Sequence, residues 1–130
     1  MSTSATGRIT GYILGKVEGR GTDFHGHVTA ISVAPSARRL RLAHRLMDHL
    51  EHVSQEVYNA YFVDLFVRVS NYIAIGMYEN MGYKTYRRVV GYYSDTGEYA
   101  LDMRKSLKRD PEKLAMVPLG RDAYPDECVF

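Results

Sequence analysis

Five basic side chains, Arg38, Arg39, Arg41, His44 and Arg45, crowd the point where an amphipathic helical pattern begins. A helix N-terminus carries partial positive charge, so each cation there is unfavourable by roughly 0.3–1 kcal/mol. Folding alone would place Asp or Glu in that turn. Basic groups beside free backbone N–H groups suit an anion, above all a phosphate or pyrophosphate; a solvated basic turn is the plain alternative. His25 and His27 form a second group, on one face of an alternating strand. A histidine with an ordinary pKa of about 6.5 is able to deprotonate an ammonium, directly or through water, although most such histidines are simply at the surface. A metal site is not expected, because no third ligand has suitable spacing. The chain also holds 11 tyrosines and no tryptophan. Tyr78, Tyr92 and Tyr93 suit a cleft that uses both ring and hydroxyl, and each is equally read as an ordinary packed aromatic. Asn71 reads as a helix cap. Cys128, the single cysteine, has no evident activating base, which argues against an acyl-cysteine mechanism.

The length of 130 residues suits one domain with a modest core. A net charge of +2 is too mild for general nucleic-acid binding, so no direct nucleic-acid partner is expected. No apolar run approaches the roughly 20 residues of a membrane span, and the first residues lack the apolar stretch of a signal peptide. No membrane partner is expected, and a reducing cytoplasmic location is the default.

These groups need elements to hold them, and the pattern supplies the order β-β-α-β-α-β-β. Arg8 to Glu18 alternates as a strand, the glycine-rich 19–26 segment turns, and His27 to Val33 alternates again until Pro35. Leu42, Leu46, Met47, Leu50, Val53 and Val57 fall at helical spacing, and Asn59 breaks the helix. Tyr61 to Val67 is nearly all apolar, as a strand covered on both faces should be, with Asp64 as its one interruption. Ser70 or Asn71 caps a short helix over 72–81, which Gly82 ends. Residues 83–93 and 98–104 read as a hairpin around Ser94-Asp95-Thr96-Gly97. The expected division is a disordered N-terminus over 1–7, a folded domain over 8–107, and an extended or disordered tail over 108–130.

The run Arg38-Arg39-Leu40-Arg41-Leu42-Ala43 resembles the acetyl-CoA motif of the GNAT superfamily of N-acetyltransferases, Arg/Gln-x-x-Gly-x-Gly/Ala. The match is closer still. His25 to Ala30 (HGHVTA), Phe62 to Asn71 (FVDLFVRVSN), Met81-Gly82-Tyr83, Tyr92-Tyr93-Ser94 and Asp102 to Lys105 together resemble the catalytic subunits of the N-terminal acetyltransferase B (NatB) complex. The resemblance implies a GNAT fold of class α/β (α+β), a mixed twisted central sheet flanked by helices. It further implies acetyl-CoA as co-substrate, with no metal, and transfer to the α-amine of nascent polypeptide N-termini beginning Met-Asp, Met-Glu, Met-Asn or Met-Gln. The implied partners are the NatB auxiliary subunit and, through it, the ribosome.

Carried over residue by residue, the resemblance assigns the cofactor to the Ile31, Ser32 and Val33 backbone, to the turn Arg38, Arg39, Leu40, Arg41, Leu42 and Ala43, and to Asn71 and Tyr78. It makes Tyr78 the group that protonates the departing thiolate. His27 helps to remove the amine proton, and Tyr92 and Tyr93 border the peptide groove together with His27. Two departures stand out. Arg41 occupies a glycine position of the family, where it either obstructs the pyrophosphate or adds a contact to it. The family's usual N-terminal β-α-α-β is also expected to be missing ahead of Arg8. A catalytically impaired binding subunit is therefore the alternative function, and a small-molecule amine acetyltransferase a further one.

Overall fold

A computed structural model describes the backbone of residues 2–3, 9–33 and 39–128, and the side chains of 13–29 and 41–128. The strands are β1 (Ser2–Thr3), β2 (Ile9–Glu18), β3 (His25–Val33), β4 (Phe62–Arg68), β5 (Lys84–Tyr93) and β6 (Glu98–Ser106), and the helices are α1 (Arg39–Glu56) and α2 (Tyr72–Asn80). They form one sheet in the order β1-β2-β3-β4-β6-β5. Among the described strands, only β3 and β4 pair in parallel. Parallel neighbours need a crossover, and α1 supplies it.

Alternation along β4 decides what each face carries. Val63, Leu65 and Val67 join Val28 and Met103 in the core, with Ala43 and Met47 from α1 and Tyr78 from α2. Phe62, Asp64 and Phe66 fall in the opposite phase, and both Phe62 and Asp64 are also buried. Strand β4 is therefore covered on both sides, as its apolar run requires. The expected helix and strand boundaries hold to within a few residues. Asn59 adopts a left-handed φ of 52° just past α1, and Gly82, at φ 98°, follows α2. Gly19, at φ 88°, turns the chain from β2 toward β3; a Cβ there would lie 2.2 Å from the Asp23 carbonyl oxygen. No helix among the described residues is long and apolar enough to cross a membrane.

Both ends of the chain pair with the sheet. Ser2 and Thr3, assigned to a disordered segment, pair with Gly11 and Ile9 of β2. The tail, expected to be extended or disordered, runs along β5. Leu119 N–H donates to the Tyr86 carbonyl, Ala123 N–H to Arg88, and Val90 N–H to Ala123. Asp110 anchors its start, accepting from Ser106 Oγ and from the N–H groups of Leu114 and Ala115. These bonds are made by backbone and by one aspartate, so they leave no hydrophobic period in the sequence. They cover a strand edge that would otherwise be open to pairing.

Candidate active site

The sheet opens between β3 and β4. Their parallel register runs from His25↔Phe62 to Val28↔Leu65 and stops there, although β3 continues to Val33 and β4 to Arg68. The cause is visible on the other side of β3. Gly15 of β2 pairs with Val28 but Leu14 pairs with Ala30, leaving Thr29 as an extra residue. Such a bulge bends the strand and increases its twist. Beyond it, Ile31, Ser32 and Val33 stay paired to β2 and present their other backbone edge to a gap. Because β3 and β4 are parallel, the helices that follow them, α1 and α2, both start at the open end. Two helix N-termini flanking a split in a sheet make a site for an extended, anionic ligand.

Arg39 to Ala43 form the first turn of α1, which contains no acidic residue. Arg41 is exposed there. It has helical backbone, and Asn59 and Lys113 are the non-glycine residues with positive φ among those described. The strain that a glycine position would impose on an arginine is therefore absent. Arg38, and the side chains of Ile31, Ser32, Val33, Arg39 and Leu40, lie outside the described residues. Asn71 caps α2, its Oδ1 accepting from Ala74 N–H at 3.3 Å.

His27 lies in register with Asp64 and donates from Nδ1 to Asp64 Oδ1 at 2.7 Å. His25 Nδ1 donates to the Asp23 carbonyl, and its Nε2 lies 3.2 Å from Glu18 Oε1 and 3.4 Å from Asp64 Oδ1. Phe62 stacks on the His25 ring, with centroids 4.5 Å apart. Burial works against the His27 imidazolium, but the hydrogen bond and charge of Asp64, with the charge of Glu18, outweigh it and raise the His27 pKa. The polar face continues across the sheet. Arg87 Nε donates to Asp102 Oδ2 at 2.9 Å, and Arg104 spreads its guanidinium over the Tyr86 and Phe62 rings. Burial, then Asp64, holds the Asp102 carboxyl above its usual range, against the pull of Arg104 and Arg87.

Sequence reasoning gave Asp64 and Glu18 no role. It found no third ligand-type residue near the two histidines, whereas the structure brings ligand atoms of Glu18, His25, His27 and Asp64 within 4.8 Å of one another. The strands carrying Glu18 and Asp64 flank β3, so spacing along the chain could not reveal them. One signal was present: a carboxylate in an otherwise apolar strand. The 2.7 Å between His27 and Asp64 is a hydrogen-bond length; two ligands on one tetrahedral zinc ion would stand about 3.3 Å apart.

The tyrosines join this group. Phe66 packs edge-on to His27 at 5.6 Å and to Tyr92 at 4.9 Å, and Tyr92 in turn meets Tyr93 at 5.1 Å. Tyr78 is 6% exposed. Burial, with the nearby Tyr93, raises its pKa, so its hydroxyl stays protonated and able to donate. Arg68 fixes the hairpin that carries Tyr92 and Tyr93. It stacks on the Tyr93 ring at 4.0 Å and bonds to Asp95, Thr96 and Glu98, while Glu98 Oε1 accepts from Ser70 N–H at the approach to α2. Cys128 remains an unpromising nucleophile, because burial raises its pKa.

The comparisons with known proteins agree with this geometry. Residues 3–83 match the Acetyltransferase (GNAT) family. The NatB complex catalytic subunit NAA20 of Arabidopsis thaliana is 58% identical over 123 residues, covering 95% of this chain and 70% of the relative. The solved Naa20 of Chaetomium thermophilum, in complex with a bisubstrate analogue, superposes with a TM-score of 0.84 at 34% identity, covering 99% of this chain and 77% of that one. A NatB complex bound to CoA and MES superposes with a TM-score of 0.72 at 40% identity over 82% of this chain and 71% of that one. An opened parallel pair, a basic helix start and this level of identity lead to one assignment: the chain belongs to the GNAT acetyltransferase family and, within it, to the NatB catalytic subunits.

Proposed function

We propose that the chain moves the acetyl group of acetyl-CoA to the α-amine of polypeptides beginning Met-Asp, Met-Glu, Met-Asn or Met-Gln. The observation that carries this reading is the gap between β3 and β4, with His27 beside its root and two helix N-termini at its mouth. The pantetheine arm pairs with the free backbone edge of Ile31 to Val33, which also polarises the thioester carbonyl. Arg38 and the α1 turn of Arg39, Leu40, Arg41, Leu42 and Ala43 hold the pyrophosphate, and Asn71 borders the arm from α2. Tyr92 and Tyr93 bind the peptide backbone. The neutral amine attacks the thioester carbon, forming the C–N bond, and His27 takes the amine proton. Donors aimed at the tetrahedral oxyanion supply the main stabilisation. The C–S bond then breaks, and Tyr78 protonates the thiolate before regaining a proton from water. The enzyme works in the cytoplasm with the auxiliary subunit, which brings it to nascent chains at the ribosome.

Calorimetry with acetyl-CoA tests the cofactor half. Binding is expected to weaken with added salt, and roughly ten- to a hundred-fold in Arg39→Ala, the loss of one charged hydrogen bond. Arg41→Gly is expected to weaken it as well, because Arg41 is exposed on unstrained helix and free to reach a phosphate. The peptide half is read by turnover of Met-Asp against Ser- or Ala-initiated peptides. No acetyl-CoA binding, or a preference for Ser or Ala, sinks the reading.

A further inference from the structure

We propose that Asp64 is the positioning residue of this site, holding His27 as its Nδ1–H tautomer so that Nε2 is the atom left to take the amine proton. This rests on the reading of His27 as the base. Asp64 is 1% exposed in a strand whose other members are mostly apolar. A buried carboxylate is costly unless it is paired and hydrogen-bonded, and Asp64 meets that cost through the two histidines of β3. Its Oδ1 accepts from His27 Nδ1 at 2.7 Å and lies 3.4 Å from His25 Nε2.

The oxygen is itself held in place. His25 is anchored by the Asp23 carbonyl and by stacking on Phe62, so the ring that shares Asp64 does not swing. His27 is confined by Phe66 on its other side. A carboxylate oxygen only accepts, so the His27 nitrogen facing it must carry the hydrogen. Neutral His27 is then basic at Nε2, the arrangement by which a carboxylate orients a catalytic histidine. The charged groups that act on His27 are Asp64 of β4 and Glu18 and Lys16 of β2; His25 of β3 shares Glu18 and Asp64, Tyr92 of β5 also feels Asp64, Glu18 and Lys16, and Asp102 of β6 feels Asp64.

The alternative is that Asp64 only satisfies a buried hydrogen bond. The two differ in what Asp64→Asn does. This near-isosteric change removes the charge and offers His27 either a donor or an acceptor. Positioning predicts a kcat roughly ten- to a hundred-fold lower, an acid limb of kcat/KM moved to lower pH, and an unchanged KM for acetyl-CoA. A structural role moves the unfolding midpoint and leaves the limb in place.

The test compares pH profiles of the full chain, His27→Gln, Asp64→Asn and the double variant. It adds a long-range proton–nitrogen NMR spectrum of the unmodified chain, which reads the His27 tautomer even where Asp64→Asn does not fold. His27→Gln is expected to abolish the acid limb, the double variant to be no slower than His27→Gln, and neutral His27 to be the Nδ1–H form. If His27→Gln keeps both kcat and the limb, the base reading falls and takes the proposal with it. If His27→Gln behaves as expected, three results overturn the positioning role alone: an unmoved limb in Asp64→Asn, fully additive losses in the double variant, or an Nε2–H tautomer in the unmodified chain.

Discussion

Tyr78→Phe is expected to lower kcat by at least about 100-fold while leaving acetyl-CoA affinity and the unfolding midpoint nearly unchanged. General acid catalysis contributes about 10²–10⁴-fold, and the substitution removes only the proton donor. The ring stays, so its edge-on contact with Tyr83, centroids 6.0 Å apart, is kept. Burial and the neighbouring Tyr93 raise the Tyr78 pKa, which rules it out as a base at neutral pH and suits it to donate. The variant also separates Tyr78's two readings. A residue that merely fills the core is replaced by phenylalanine at little cost, and turnover follows stability. An acid loses turnover and keeps its fold. Steady-state kinetics beside urea unfolding decides between them, and a kcat within threefold of the parent removes Tyr78 from the chemistry.

The largest loss of stability is expected from Phe62→Ala, about 3–5 kcal/mol, the usual range for truncating a buried phenylalanine. Phe62 is 1% exposed. It does more than fill space, because His25 stacks on one part of it and the Arg104 guanidinium lies 4.4 Å from its centroid. Arg104 Nε is already buried without a hydrogen-bond partner. Removing the ring deprives that guanidinium of a surface that stabilises its charge. Domains of this size are stable by only about 5–15 kcal/mol, so the variant should sit near the edge of folding. Phe62→Leu keeps most of the volume and should lose clearly less. Equal urea midpoints for Phe62→Ala and the parent would contradict the packing described for this face.

How far these features could be read in advance depends on whether they repeat along the chain. The period of Leu42, Leu46, Met47 and Leu50 places α1, and the apolar run from Phe62 places β4, because burial is written into every second or fourth residue. Asn71 and Gly82 mark the ends of α2 by their chemistry alone. His27, Tyr78, Tyr92 and Tyr93 stood out by type and by resemblance, and the fold brings His27 and the two hairpin tyrosines into one run of packed rings, with Tyr78 beside Tyr93. Asp64 and Glu18 stayed silent because their partners are on other strands, dozens of residues away in the first case. The bulge at Thr29 was equally hidden: it is a mismatch of register between two strands, and each strand looks regular by itself. That the extended tail docks on β5 was not legible, because main-chain bonds, available to any sequence, make much of the contact.

The link from Glu98 to Ser70, with Arg68 bridging to the hairpin turn, joins the approach to α2 to the hairpin that carries Tyr92 and Tyr93. Under the proposed function, Tyr92 and Tyr93 stand on the peptide side and the start of α2 on the acetyl-CoA side. A segment ordered by one ligand would then be partly ordered for the other, and the entropy lost on the second binding event would be smaller. Any such coupling is reciprocal: acetyl-CoA raises peptide affinity by the same factor as peptide raises acetyl-CoA affinity. On that reading Arg68, through its contacts with Asp95, Thr96, Glu98 and Tyr93, is the residue whose loss is expected to uncouple the two binding events.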